Sequence, residues 1–219
     1  MSWSRRSGRR GYHHGNLREA LIQGALDLIA QKGPSGFTVA EAARSAGVSP
    51  GAPYRHFRDR EELLADVALR GFEHFAIELE QAWNGGKPDV MEALQNLGRA
   101  YLRFARGEPA YYSAMFEVGL PHDSNPALRH ASERAFNVLL KACEALCVQL
   151  PKPSRPPPLM MALHIWAMSH GIASLFGRGD GSARKLPMSP EDLLEANVLL
   201  YIRGLGLAGG ASSGPPPLP

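Results

Sequence analysis

The sequence predicts an all-α chain of about nine helices in two units, a small N-terminal one and a larger C-terminal one. Three observations carry that expectation. Val and Ile are sparse, and no stretch alternates apolar with polar residues at a period of two. Leu and Ala recur at the three- and four-residue spacings of a helix face. Clusters of Gly, Pro and Asn cut these patterns at helical lengths. With 44% hydrophobic residues in 219, the chain has the material for a sizeable core.

Leu17, Leu21, Ala25, Leu28 and Ile29 mark one face of a first helix, which "QKGPSG" ends. Thr38 then caps a second helix, with Glu41 placed to reach back as a capping box. Ala42, Ala43 and Ala46 keep that helix slim enough for another to cross it closely. Gly47 stands just past its end, where a left-handed residue is least costly. Ser49 as N-cap and Pro50 at the first helical position predict an immediate restart, a two-turn helix over 50–57. Pro53 fits it poorly, because it removes an early helical hydrogen bond and leaves a carbonyl near the turn in need of another partner.

Asp59, with Glu62 three residues on, opens a long helix whose stripe runs through Leu64, Ala68, Phe72, Phe75, Leu79 and Trp83. It leaves the small unit and enters the large one, and "NGGKPD" breaks it. Further helices are expected at about 89–106, 109–118, 126–149, 159–176 and 190–205. "PKPSRPPP" at 151–158 links two of them, and "GRGDGSARKLPM" reads as a flexible loop. The predicted divisions are a basic arm at 1–14, a helix-turn-helix unit at 15–62, a helical unit at 63–207 and a disordered tail at 208–219.

Charge is uneven. Residues 1–60 hold ten Lys/Arg against four Asp/Glu, a balance of +6, whereas the whole chain carries +3. A basic head on an acidic body points to a polyanion partner for the head. Cys143 and Cys147, four apart on a helix, read as small core residues in a reducing compartment. The N-terminus lacks the apolar stretch of a signal peptide, and the apolar run at 159–176 carries His164, Ser169 and His170; both point to a cytoplasmic protein. His13 and His14 have no further ligands beside them, so no metal is expected. No nucleophile–base pair, phosphate-binding glycine loop, HExxH or CxxC is present, so neither an enzyme nor a cofactor is expected.

The second helix, the turn at Gly47–Ser49 and the segment 50–57 have the order of a helix-turn-helix, whose second helix enters the major groove. Pro50, Gly51, Ala52, Tyr54, Arg55 and His56 would be exposed there, and Phe57 would face the core. Gly51 and Ala52 allow close approach; Arg55 can reach guanine O6 and N7 or a phosphate. Tyr54, His56 and Arg60 suit phosphate oxygens, and helix N-termini at Thr38 and Ser49 add to them. Arg58 is a further candidate.

The stretch "FTVAEAARSAGVSPGAPYRHFRDREELL", 37–64, resembles the DNA-binding signature of the TetR (tetracycline-repressor-like) family. Thr38, Ala46 to Ser49, Tyr54, His56, Phe57, Arg60 and Glu61–Glu62–Leu63 stand at its characteristic positions. Ala42 and Pro53 depart from it, replacing common aliphatic residues. "HHGNLREALI" and "WAMSHG", with Trp166, His170 and Gly171, are similar to a branch whose C-terminal domain is named for a Trp–His–Gly motif. The resemblance implies a homodimer through the helices at about 159–176 and 190–205, a palindromic double-stranded DNA operator, and release of DNA by a small molecule. A helical small-molecule-binding protein with a merely structural helix-turn-helix is the alternative. Candidates for the effector pocket are Tyr101, Phe104, Tyr111, Tyr112, Met115, Phe116, Met160, His164, Trp166, Met168 and His170. With no charge cluster among them, the expected effector is mostly apolar.

Overall fold

The computed structural model describes residues 14–121, 125–176 and 188–206, with side chains from Leu17 onward. The arm, including His13, most of the loop after 176 and the tail lie outside the described residues. Eight α-helices and no strand are found among those described: α1 (His14–Lys32), α2 (Val39–Ser45), α3 (Arg60–Trp83), α4 (Val90–Gly107), α5 (Pro109–Phe116), α6 (Pro126–Gln149), α7 (Pro158–Phe176) and α8 (Pro190–Gly204). The expected boundaries hold to within a residue or two, because the caps and Pro/Gly stops act locally.

The exception is the segment 50–57. It is not a two-turn α-helix but a set of turns around one short 3-10 turn, Pro53–Arg55. The physical reason is Pro53. In an α-helix its N–H would bond the Ser49 carbonyl, and it has none; that carbonyl accepts from Ala52 N–H at 3.0 Å instead. The Pro53 carbonyl then takes both His56 N–H (2.8 Å) and Phe57 N–H (2.9 Å), closing the segment. Ser49 accordingly does not cap a helix by its side chain; the residue before the 3-10 turn is Ala52.

α3 is the spine. Its first half packs on α1, and its length carries it between α4, α5 and α6. The core is continuous along it, from Leu63, Leu64 and Val67 near α1 to Phe75 and Leu79 near α6. Ion pairs staple its flanks: Arg134 of α6 holds Glu80 through two bonds of 2.9 and 2.7 Å, and Arg70 holds Glu19 of α1. α8 is fixed on α4 by Arg99–Glu195 (3.0 Å) and Arg106–Glu191 (2.9 Å). Pairs this exposed fix register more than they add stability. The proline-rich link is not plain linker. It makes a 3-10 turn at Lys152–Ser154, and Arg155 donates to the carbonyls of Val148 and Leu150, capping the end of α6.

By length and composition α7 could span a membrane. One face, with Met161, Ala162, Ile165 and Ile172, is buried against the bundle. The opposite face leaves Leu159, Met160 and Leu163 exposed; Leu175 in the last turn of α7 and Leu200 of α8 are exposed too, Leu200 at 68%.

Candidate DNA-reading surface and ligand cavity

The capping box at Thr38 forms as the spacing predicts. Thr38 Oγ1 accepts from Glu41 N–H at 3.2 Å, and the Glu41 carboxylate accepts from Thr38 N–H at 2.8 Å. Lys32 adds a contact of 2.8 Å, and together these hold the Glu41 carboxyl down at about 2. α2 ends in a Schellman turn: Gly47 has φ +70°, Val48 N–H bonds Ala43 O, and Gly47 N–H bonds Arg44 O. The chain therefore reverses tightly into the segment 49–57.

That segment is anchored from beneath and presents its polar residues outward. Pro53 and Phe57 are both fully buried. The Arg18 guanidinium lies 5.8 Å over the Phe57 ring and binds Asp66 of α3 at 2.7 Å. Pro50, Gly51, Tyr54 and Arg55 are exposed, and Ala52 and His56 partly so. A rigid base under an exposed Tyr–Arg pair suits contact with a duplex, even though the segment is shorter than an α-helix. Arg60 is placed differently. It donates to the Pro34 carbonyl and stacks 5.3 Å over Phe37, so its guanidinium secures the α1–α2 turn. Arg58 pairs with Glu62 at 3.2 Å.

The second feature is a cavity of about 510 Å³ inside the larger unit, within the usual size of small-molecule sites. α3 supplies Phe72, Phe75 and Leu79; α4 supplies Leu94, Leu97 and Tyr101; α6 supplies Ala135, Phe136 and Leu139. Of the residues expected from sequence, Tyr101, Met115, Phe116 and Trp166 line it. Tyr112 and His170 sit behind that wall: His170 Nδ1 lies 2.8 Å from the Tyr112 hydroxyl and 3.0 Å from that of Tyr101. Burial lowers the His170 pKa and raises that of Tyr101, so both groups are neutral at pH 7. Phe104 is core, its ring tilted at 43° against that of Phe75 with centroids 4.8 Å apart. Tyr111 faces Gly71 of α3. His164 bonds Tyr201 at 3.1 Å on the outer face, Met160 is exposed there, and Met168 packs on the core. The α3 and α6 walls were not singled out from sequence, because a cavity-lining Phe or Leu has the same helical spacing as a core one. Among the described residues no group of three His, Cys, Asp or Glu is placed to hold a metal.

Comparison with known proteins bears on both features. Residues 21–67 match the family model for bacterial regulatory proteins of the tetR family, and residues 94–201 match a tetracyclin repressor-like C-terminal domain. The HTH-type transcriptional regulator AlkX of Mycobacterium tuberculosis is 26% identical over 163 residues, 64% of this chain and 76% of AlkX. The uncharacterized HTH-type transcriptional regulator YobS of Bacillus subtilis is 26% identical over 100 residues, 46% of this chain, and the chain spans about half (51%) of its length. A Rhodococcus sp. RHA1 protein of unknown function superposes with a TM-score of 0.74 at 26% identity, covering 90% of this chain and 98% of that one. AibR, solved in complex with isovaleryl coenzyme A and operator DNA, shares the fold at a TM-score of 0.65 and 19% identity, over 84% of this chain and 96% of its own. The two matched regions cover the helix-turn-helix and the cavity-bearing bundle in turn: the chain belongs to the TetR family of helix-turn-helix transcriptional regulators.

Proposed function

We propose that the protein is a cytoplasmic, ligand-responsive repressor. Two copies joined through α7 and α8 would read an inverted repeat with their 49–56 segments, and a small, mostly apolar effector in the cavity would release the DNA. The observation that carries this reading is the continuity of α3. The helix begins at Asp59–Arg60, directly behind the reading segment, and continues to Phe72, Phe75 and Leu79 in the cavity wall. A ligand pressing on that wall acts on the same rigid rod that supports the DNA-reading turn. A ligand with different affinity for two settings of α3 shifts their populations.

For the dimer, support comes from the unpartnered apolar face of α7 and α8, Leu159, Leu175 and Leu200 among others. On DNA, we assign Arg55 to a guanine edge and Tyr54 and His56 to phosphates, with Gly51 and Ala52 allowing close approach. Thr38, Ser49 and Pro50 set the register of the two segments, and Arg60 holds the turn behind them. The fold neighbour AibR, with ligand and operator bound, is a precedent for both partners on this fold. The Trp–His–Gly resemblance belongs to this reading too: Trp166 lines the cavity and His170 lies behind its wall.

Selection of bound duplexes from a random pool at near-physiological salt tests the proposal. The expected product is an inverted repeat, its half-sites set by recognition segments about 34–36 Å apart. Binding that is blind to sequence would overturn it.

A further inference from the structure

Resting on the reading of the cavity as the effector site, the inference concerns which molecules the cavity accepts. Its polar lining groups are already engaged within the protein. Ser169 Oγ donates to the Ile165 carbonyl at 2.9 Å, Ser132 Oγ to the Arg129 carbonyl at 2.9 Å, and the Tyr101 hydroxyl joins His170 Nδ1 at 3.0 Å. No Lys or Arg is among the described residues that line the cavity. What remains for a ligand is apolar and aromatic surface, plus one carboxylate, Glu133.

The exposed lining residues, Glu133 of α6 with Leu163 and Trp166 of α7, mark the open side of the cavity. The Glu133 side chain is 61% exposed, and Arg129 approaches it only to 3.9 Å. Arg134, the next residue, is turned away to Glu80 at 2.7 Å. An acid group entering here would pass a carboxylate and then lie in an apolar interior with no cation to receive it, a costly burial. We propose that the cavity selects lipophilic molecules without an acid group, and that Glu133 is the specificity-determining residue at its mouth.

Two fluorescent probes with one skeleton isolate the charge: neutral N-phenyl-1-naphthylamine and its sulfonate analogue 8-anilino-1-naphthalenesulfonate. With the full chain, the neutral probe is expected to bind saturably, and the sulfonate at least about tenfold more weakly. Glu133→Lys is expected to narrow that gap about three- to tenfold by improving sulfonate binding. Ala135→Phe, filling the cavity, is expected to abolish the neutral probe's signal. Should that variant not fold, Ser132→Trp, at a partly buried lining position of α6 away from the α7–α8 face, fills the same cavity. Equal affinity for the two probes, a gap that Glu133→Lys does not move, no saturable neutral binding, or neutral binding that survives a blocked cavity would each overturn the proposal. Release of a selected duplex is scored separately. A neutral probe that fills the cavity but leaves DNA bound would count against the ligand-responsive repressor and leave the charge selectivity standing.

Discussion

Gly71 offers a test in which two physical effects oppose each other in sign. It lies in the middle of α3, buried, where α5 crosses. A Cβ built there would sit 2.7 Å from Met115 Sδ, 3.0 Å from Met115 Cγ and 3.2 Å from Tyr111 Cδ1. Optimal heavy-atom contacts are about 3.5–4.0 Å, so the overlap with Met115 approaches 1 Å. Helix propensity alone would make Gly71→Ala stabilising by about 1 kcal/mol. Overpacking a tight interface costs about 1–3 kcal/mol. Met115 is flexible and can give way in part, so overpacking wins by about 1 kcal/mol, or a fall of about 2–4 °C in Tm for a chain of this size. The displaced Met115 also lines the cavity, so ligand binding weakens in the same variant. Thermal denaturation followed by circular dichroism reads the first effect. A rise of about 2–4 °C would refute the reasoning, because it would mean that only propensity acts and that α5 does not lie against α3 as described.

Other expectations follow from the same geometry. Arg55→Ala should weaken specific DNA binding by about 1–3 kcal/mol and relax preference at one base position, whereas Tyr54→Phe should weaken all sequences alike; competition against a mutated-duplex series separates the two. Thr38→Ala removes the N-cap of α2 and should cost about 1 kcal/mol in denaturant unfolding. The Glu41 carboxyl is held at about 2, below its ordinary 4.5, first by Lys32 and then by Thr38, so it adds stability above pH 4.5 that is lost as pH falls toward 2. Glu41→Gln should therefore flatten that part of an acid titration of Tm. Leu200→Arg, at an exposed position on α8, should leave the fold intact and convert a dimer to a monomer in light scattering; an unchanged mass would move the interface elsewhere. Burial pushes the Cys143 thiol up to about 12, so alkylation at neutral pH should wait for unfolding.

Local chemistry made much of the fold legible in the sequence. Thr38–Glu41, Gly47, Asp59–Glu62 and Ser189–Pro190 act over three or four residues, and each forms the cap or turn that its spacing predicts. The exposed pair Tyr54 and Arg55 over buried Phe57 was equally visible, because a turn between two short elements leaves few alternatives. From sequence Pro53 fits an α-helix poorly; in the fold it is the buried pivot of a 3-10 turn, since its ring supplies core surface while its missing N–H diverts the Ser49 carbonyl. From sequence Arg60 is a candidate phosphate contact, because it is basic and stands beside the motif. Only folding brings it against Pro34 and Phe37, 26 and 23 positions away in the chain.

The cavity is the part that tertiary structure alone decides. Phe72, Leu97 and Phe136 come from three helices, and each shows the periodicity of an ordinary core residue. Whether such side chains meet or leave a gap depends on how α3, α4, α6 and α7 cross, a relation among distant segments that spacing along one helix does not carry. The sequence by itself determined the eight α-helices, most of their caps and the exposure of Tyr54 and Arg55, because these follow from interactions within a turn or two. Which polar groups remain for a ligand, and which carboxylate guards the mouth, was decided only when those helices packed.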